Sequence, residues 1–262
     1  MSSLKREYEE LVRAMRRGKN ALRLALISER GAKGYARAGS SLAGGQALIR
    51  TYKSAAAGLV NNDRYKRRLV TPEVSASIHV AVDASGSMGQ SVRGSKVSLS
   101  GHLMMASHAL ADLGKSLKVG VESHLCFLAG HRHNAFGQTG YDARLVPIVL
   151  GNRPTASLKA QVEYRPTDGT HVASYARAAL ALAERSTAKH RIAVYMTDGF
   201  CSSLSLLPSL HEMARARGVY LVGVVMGGES AQGHPNAVEC LNGAEFASQV
   251  GLHLAKVVKG RG

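Results

Sequence analysis

The residues with the clearest chemical potential form an acid–hydroxyl motif, D-x-S-x-S, at Asp83, Ser85 and Ser87. The motif comes directly after an apolar segment, SIHVAV, whose composition is typical of a buried strand. One carboxylate and two hydroxyls are hard oxygen donors, which suit Mg²⁺, Mn²⁺ or Ca²⁺ better than Zn²⁺. Gly86 lies between the serines and gives the backbone the freedom to turn both hydroxyls to one side. Because Mg²⁺ takes an octahedral shell of oxygens, other parts of the chain should supply further ligands.

A polar loop and a second strand end offer those further oxygens. The loop TDGT carries Asp168 and Thr170 just before a helical pattern, and MTDG ends an apolar strand at Asp198. Each has a plainer reading, since Thr170 can cap the helix and Asp198-Gly199 can be a simple turn. In an open parallel sheet, however, ligands bind just outside the carboxyl ends of the strands. We therefore expect these side chains to converge with Asp83 on one metal site.

Strand and helix patterns alternate along the part of the chain that must position this site. Apolar strand patterns cover 77–85, 118–130, 191–199 and 219–227, and helical patterns cover 96–117, 170–186, 205–218 and 243–260. A further extended segment at 142–151 contains Pro147, which predicts an edge position. The alternation predicts an α/β fold, a Rossmann-like, doubly wound and mostly parallel central sheet with helices on both faces.

The first quarter of the chain differs in both charge and pattern. The net charge of the chain is +16, and residues 1–70 contain 16 Lys and Arg against 5 Asp and Glu. Helical patterns at 4–30 and 46–59 predict a basic helical N-terminal extension over residues 1–72, followed by the sheet domain at 73–260. The candidate basic patch consists of Arg16, Arg17, Lys19, Arg23, Lys66, Arg67 and Arg68. Such a patch favours an acidic partner such as nucleic acid, although a solvated basic helix gives the same pattern.

Several protein classes lack support because their motifs are missing from the sequence. There is no GxxxxGK[ST] phosphate loop, and Ser85 and Ser87 do not lie in a G-x-S-x-G nucleophile elbow. The three cysteines, Cys126, Cys201 and Cys240, match neither a zinc spacing nor a disulfide framework, which favours a reducing compartment. The charged start and the lack of an apolar run of about 18 residues predict a cytoplasmic protein with no membrane contact.

The combination of VAVDASGSM (80–88), DGT (168–170) and YMTDG (195–199) resembles the von Willebrand factor A (VWA) domain with its metal-ion-dependent adhesion site, or MIDAS. The resemblance covers about 73–258 and implies the VWA fold. The metal ligands that it implies, from three successive loops, are Asp83, Ser85, Ser87, Thr170 and Asp198. A bound Mg²⁺, or Mn²⁺ or Ca²⁺ in its place, would keep one position for water or for an acidic residue of a protein partner.

Three residues of these loops have roles that the resemblance leaves open. Asp168 stands where the family usually has a glycine, so it is either an acceptor behind the ligands or an exposed turn residue. Gly169 and Gly199 share this assignment to the surroundings of the metal. The resemblance also leaves open whether Asp198 binds the ion directly or through water.

A narrower likeness joins residues 39–88 to the segment that leads into the VWA domain of the cobaltochelatase T subunit (CobT). Proteins of that type work beside an AAA+ ATPase of the MoxR/CobS kind. The resemblance therefore implies a metal-dependent protein-binding module, not an enzyme on its own, that binds such an ATPase or its client as partner or adaptor. Two alternatives stay open: a cobaltochelatase-like accessory subunit in ATP-dependent metal insertion, and a nucleic-acid-binding protein that uses the basic arm.

Overall fold

The structure is a computed structural model that describes residues 3–26, 35–36, 53, 56–57, 65–66, 76–92, 97–133, 139–148, 171–199, 203–227 and 231–259. The helices within these residues are α1 (Ser3–Leu26), α2 (Leu99–Leu117), α3 (Val172–Glu184), α4 (Leu207–Ala216) and α5 (Gly243–Lys259). The strands are β1 (Tyr35–Ala36), β2 (Tyr65–Lys66), β3 (Ala76–Asp83), β4 (Gly120–His133), β5 (Thr139–Pro147), β6 (His190–Thr197), β7 (Val219–Met226) and β8 (Ala237–Cys240).

Six of the strands form one sheet in the order β5-β4-β3-β6-β7-β8. All neighbours are parallel except β5, which runs antiparallel to β4. This arrangement confirms the predicted doubly wound, mostly parallel α/β fold. From β3 the chain first builds the sheet toward β5, and then returns to add β6 on the other side of β3. The carboxyl ends of β3 and β6 therefore flank the crevice at which sheets of this kind bind ligands.

Helices cover both faces of the sheet, as the apolar strand patterns require. On one face, α1, α2 and α5 share a core with apolar side chains of β3, β6 and β7. On the other face, α3 and α4 pack against the alternate residues of the same strands. All eight residues of β3 are buried, because a central parallel strand has helices on both sides.

At one edge of the sheet the predicted strand is found, and at the other edge the structure has a strand that was not predicted. The segment predicted as an edge strand is β5, and its Pro147 ends the strand at the sheet margin, where a missing N–H is tolerated. The strand β8 was missed, since its four residues are too few for a periodic pattern. The predicted helix at 46–59 falls largely outside the described residues.

None of the helices in the described ranges combines the length and the apolar character that a membrane crossing needs.

The N-terminal helix α1 packs into the core of the sheet unit. Its buried apolar side chains recur at helical spacing and include Leu11 and Leu22, and the Tyr8 hydroxyl donates a 2.8 Å hydrogen bond to Asp112 of α2. The backbone of α1 at Gly18 approaches that of α5 at Gly251 so closely that a Cβ on either glycine would lie within 2.8 Å of the other residue. Close packing of the two helix backbones at these glycines therefore adds to the apolar burial that holds α1 in place.

The chain divides into two compact units, one formed by Met1–Leu26 with Val74–Gly262 and the other by Ile27–Glu73. The second unit contains the antiparallel pair β1–β2. This division differs from the predicted extension over 1–72 in the place of α1, which joins the sheet unit. The reason is physical, since a 24-residue amphipathic helix needs a surface that covers its apolar stripe, and α5 and α2 supply it.

Replacing Gly18 or Gly251 with Ala should lower the free energy of unfolding by about 1–3 kcal/mol, because the added methyl group meets backbone atoms of the facing helix. This loss should exceed the gain of about 1 kcal/mol in helix propensity. Urea unfolding measures the change. Gly120→Ala is the control, since a Cβ at Gly120 meets nothing within 4 Å and should change the stability little. Equal stability of all three variants would contradict the close packing of α1 on α5.

Candidate metal centre

The candidate centre is built around Asp83, which ends β3 and is fully buried. Its Oδ1 accepts a 2.7 Å hydrogen bond from the backbone N–H of Ser85, and its Oδ2 accepts one of 2.9 Å from the hydroxyl of Thr197 at the end of β6. The carboxylate is thus oriented from its own loop and from the neighbouring strand.

The two serines lie side by side in the turn that follows. Ser85 is buried and Ser87 is partly exposed, and their hydroxyl oxygens are 3.1 Å apart. A short 3₁₀ turn over Gly86–Gly89 shapes the loop, and the fully buried Met88 anchors it in the core. Neighbouring oxygens in an octahedral Mg²⁺ shell are about 2.9 Å apart, given metal–oxygen distances of about 2.0–2.1 Å. The spacing of the hydroxyls therefore fits two adjacent positions of such a shell.

The second carboxylate, Asp198, follows β6 and is also buried. Thr197 links the two acids, since its hydroxyl donates to Asp83 and lies 3.5 Å from Oδ1 of Asp198. The N–H of Gly199 donates to the same hydroxyl oxygen at 3.3 Å. Gly199 has φ = +93°, a conformation that favours glycine, so the backbone turns directly after Asp198.

The pKa of Asp83 is raised to about 6, chiefly by burial and also by the nearby charge of Asp198, although hydrogen bonds from Ser85 and Thr197 act to lower it. No lysine or arginine of the described residues is among the groups that shift this pKa. A buried carboxylate beside a second acid and two hydroxyls is an arrangement that a divalent cation would stabilise.

Two buried residues next to Asp83 were missed by the sequence reasoning. Tyr175 of α3 is fully buried, and burial together with its hydrogen bond to Asp83 raises the pKa of its phenol. Cys126 of β4 pairs with Asp83 in the register of the sheet, and burial raises the pKa of its thiol. In the metal-free chain the thiol is therefore protonated at neutral pH. In the sequence, both residues follow ordinary core patterns, and only the packing brings them to the acid.

The predicted second ligand loop lies outside the described residues, so Asp168, Gly169 and the ligand role of Thr170 stay predictions. The chain is described again from His171, whose Nδ1 lies 2.9 Å from the Ser174 hydroxyl oxygen. The N–H of Ala173 donates a 3.0 Å hydrogen bond to the Ser203 hydroxyl, so the start of α3 is tied to the segment after Asp198.

The candidate basic patch is described only in part. On α1, Arg23 is exposed and Lys19 is partly exposed, as expected for the polar side of a docked amphipathic helix. The side chains of Arg16, Arg17 and Lys66 and all of Arg67 and Arg68 lie outside the described part. Nucleic-acid binding by this patch stays a prediction.

The donor set favours a hard ion. Among the described residues, no three His, Cys, Asp or Glu side chains form a group that could hold a metal ion by themselves. The site at Asp83 combines carboxylates with hydroxyls instead, which is the chemistry of Mg²⁺, Mn²⁺ or Ca²⁺ rather than of Zn²⁺.

Comparison with known proteins gives similarity at the level of structure alone. No protein-family profile matches the sequence, and no curated protein matches it. Among solved structures, the pilus adhesin SpaC from Lactobacillus rhamnosus GG is similar with a TM-score of 0.49 and 13% identity, over 71% of this chain and 31% of the adhesin. The protein BatB from Bacteroides thetaiotaomicron gives 0.45 and 14%, over 70% of this chain and 99% of BatB. A von Willebrand factor type A protein from Catenulispora acidiphila gives 0.40 and 15%, over 70% and 43%.

Replacing Asp83 with Asn should raise the free energy of unfolding of the metal-free protein by about 1–3 kcal/mol at pH 7.5, because the variant removes a buried charge and keeps its size. The pKa of Asp83 is about 6 in the folded chain against an ordinary 3.8, so the folded state binds this proton more tightly. The stability from this group is therefore complete below about pH 4 and is lost as the pH rises through 6.

The advantage of Asp83→Asn should accordingly shrink between pH 7.5 and pH 5, as measured by urea unfolding in EDTA. The exposed carboxyl of Glu212 offers a control, since Glu212→Gln should leave this pH dependence unchanged. If Asp83→Asn were less stable than the parent at pH 7.5, the charged Asp83 carboxylate would not destabilise the metal-free fold.

Proposed function

We propose that this chain is a Mg²⁺-dependent protein-binding module of the VWA type, with a MIDAS at the carboxyl ends of β3 and β6, and not an enzyme on its own. The observation that carries the proposal is that oxygen-bearing side chains from the loop after β3 and from the end of β6 meet at one place. Asp83 is buried and oriented by Ser85 and Thr197, the Ser85 and Ser87 hydroxyls are 3.1 Å apart, and Thr197 joins Asp83 to Asp198.

In this proposal the side chains divide into ligands and supports. The ligands are Asp83, Ser85, Ser87, Thr170 and Asp198, the last directly or through water. Thr197 and Tyr175 hold the Asp83 carboxylate in place from β6 and α3. Bound Mg²⁺, with Mn²⁺ or Ca²⁺ as substitutes, would supply one coordination position for an Asp or Glu of a protein partner.

The hydrogen bonds around the serines favour binding over nucleophilic catalysis. Within the described residues, the Ser85 and Ser87 hydroxyls bond to each other, the Ser85 N–H donates to Asp83, and no histidine bonds to either hydroxyl. A serine nucleophile needs an adjacent base to accept its proton. Hydroxyls without such a base suit the coordination of a cation.

The partner that we propose is an AAA+ ATPase of the MoxR/CobS kind, or the client of that ATPase, with this chain as adaptor. Support comes from the likeness of residues 39–88 to the approach to the CobT VWA domain and from a site that offers a metal position to a partner acid. The metal and the partner are tested separately, so that either can fail alone.

Isothermal titration calorimetry with Mg²⁺ and Mn²⁺ tests the metal. The unaltered chain should bind one ion, and Asp83→Ala and the double variant Ser85→Ala/Ser87→Ala should bind none. Glu212→Gln, an exposed acid on α4, is the control and should bind as the parent does. Binding of one Mg²⁺ ion per chain by Asp83→Ala would contradict the proposed metal site.

Capture from an extract of the source cells, with Mg²⁺ or with EDTA, tests the partner. An AAA+ ATPase should be retained with Mg²⁺ and lost in EDTA and with Asp83→Ala. Metal binding without any Mg²⁺-dependent capture of an AAA+ ATPase or its client would reject the adaptor role and keep the metal site.

Thr197→Val should weaken Mg²⁺ binding about 10- to 100-fold, because it removes the hydroxyl that orients Asp83 and links it to Asp198. Calorimetry measures the affinity, and the thermal unfolding midpoint checks that the fold survives. Thr→Val keeps the shape but leaves a buried acceptor with one donor fewer, so a modest loss of stability is also expected. Unchanged affinity would show that Thr197 does not position the ligand.

A further inference from the structure

A cleft of about 490 Å³ lies at the opposite end of the sheet from the candidate metal centre. Its described lining comes from the end of α4, the start of β7, the residue before β8 and the second half of α5, and consists of His211, Arg215, Tyr220, Leu221, Asn236, His253, Lys256 and Val257. The metal centre lies at the carboxyl ends of the strands, whereas this cleft lies at the amino end of β7. The cleft and the candidate metal centre share no described residue.

The floor of the cleft is an open strand edge. β6 pairs with β7 along Val219–Val225, but on the other side β8 pairs only with Gly223–Met226. The four residues Val219–Val222 thus have no neighbouring strand on that side among the described residues. Asn236, directly before β8, has φ = +51°, so its backbone does not continue the strand along β7.

Backbone groups of β7 point into this gap. The N–H of Gly223 donates to the carbonyl of Asn236, and that of Gly227 donates to the carbonyl of Cys240, so the odd-numbered residues face the β8 side. By the alternation of a strand, the N–H and C=O of Leu221 point the same way, into the cleft. Such a pair can hold an added strand through main-chain hydrogen bonds.

The two walls of the cleft carry matching chemistry. On one face of the sheet, α4 presents His211 and Arg215, one turn apart, beside Leu221. On the other face, α5 presents His253 and Lys256 beside Tyr220. Each wall therefore offers one cation and one imidazole.

The cations are not used within the described chain. No ion pair joins Arg215 or Lys256 to a described Asp or Glu, and no acid is among the described lining residues. His253 donates from Nε2 to the Asn236 carbonyl at 3.0 Å, and burial, followed by the charge of Lys256, lowers its pKa. The wall charges are therefore those of Arg215 and Lys256.

We propose that this cleft binds an extended acidic segment of a partner protein, which adds as a short strand to the open edge of β7 between α4 and α5. Successive side chains of a strand point to opposite faces. Two adjacent acidic residues would thus reach Arg215 on one wall and Lys256 on the other. Four strand residues span about 13 Å, which matches the open stretch Val219–Val222. The net charge of +16 would also speed the approach of an acidic partner.

The test uses the full chain in EDTA, so that a carboxylate cannot be captured by metal. The probe is a dye-labelled hexapeptide, Thr-Val-Glu-Glu-Val-Thr, followed by fluorescence anisotropy. We expect saturable binding that weakens at least about tenfold with Arg215→Glu/Lys256→Glu. The control Arg13→Glu/Arg177→Glu changes the net charge equally at two exposed positions outside the cleft, one on α1 and one on α3, and should leave the affinity within about twofold.

Two altered peptides test the mode of binding without changing the protein. Replacing both glutamates by glutamine, or N-methylating both to remove their backbone N–H groups, should each weaken binding about tenfold. No saturable binding of the parent peptide would overturn the proposal. An equal loss of affinity with both charge-reversed variants would show that the peptide is held only by the overall positive charge of the chain, and would reject a specific cleft. Full binding of the N-methylated peptide would exclude strand addition.

Discussion

The structure depends on one buried carboxylate, that of Asp83, at the end of the central strand. It has no contact with solvent, yet it accepts hydrogen bonds from its own loop and from β6 and contacts Tyr175 of α3. Burying the charged carboxylate is unfavourable, as its raised pKa shows. The hydrogen bonds from the surrounding residues offset part of that cost. Such a group is informative, since core packing alone would be better served by an apolar side chain.

The place of Asp83 follows from the topology of the sheet. The chain builds outward from β3 in one direction and later from β6 in the other, so the loops after these two strands separate and leave a crevice. Asp83 and Asp198 both lie at the opening of that crevice, and the Thr197 hydroxyl lies between their carboxylates. The order of strands therefore brings together acids that are more than a hundred residues apart in the chain.

The same architecture gives the molecule two ends with different chemistry. At the carboxyl ends of the strands, carboxylate and hydroxyl oxygens gather, and there we propose the cation site. At the amino end of β7, the short β8 leaves backbone groups open between Arg215 and Lys256, and this end favours an acidic ligand. The α1 helix, whose basic composition suggested a separate arm, uses its apolar side to complete the core, with only its polar side left for contacts.

The sequence by itself determined the α/β class, the doubly wound sheet and the oxygen-donor residues at the ends of two strands, because these rest on local periodicity and on residue type. Asp83, Ser85 and Ser87 are neighbours in the chain, so their juxtaposition could be predicted. Only the tertiary structure decided that Thr197 and Tyr175 hold the Asp83 carboxylate, that Gly18 and Gly251 let α1 pack on α5, and that β8 stops short of covering β7. Those contacts join residues that are far apart in the chain. In the sequence they are visible only as a threonine, a tyrosine, two glycines and a four-residue strand, which occur in many protein cores. Their meaning depends on which backbone they face, which local patterns do not encode.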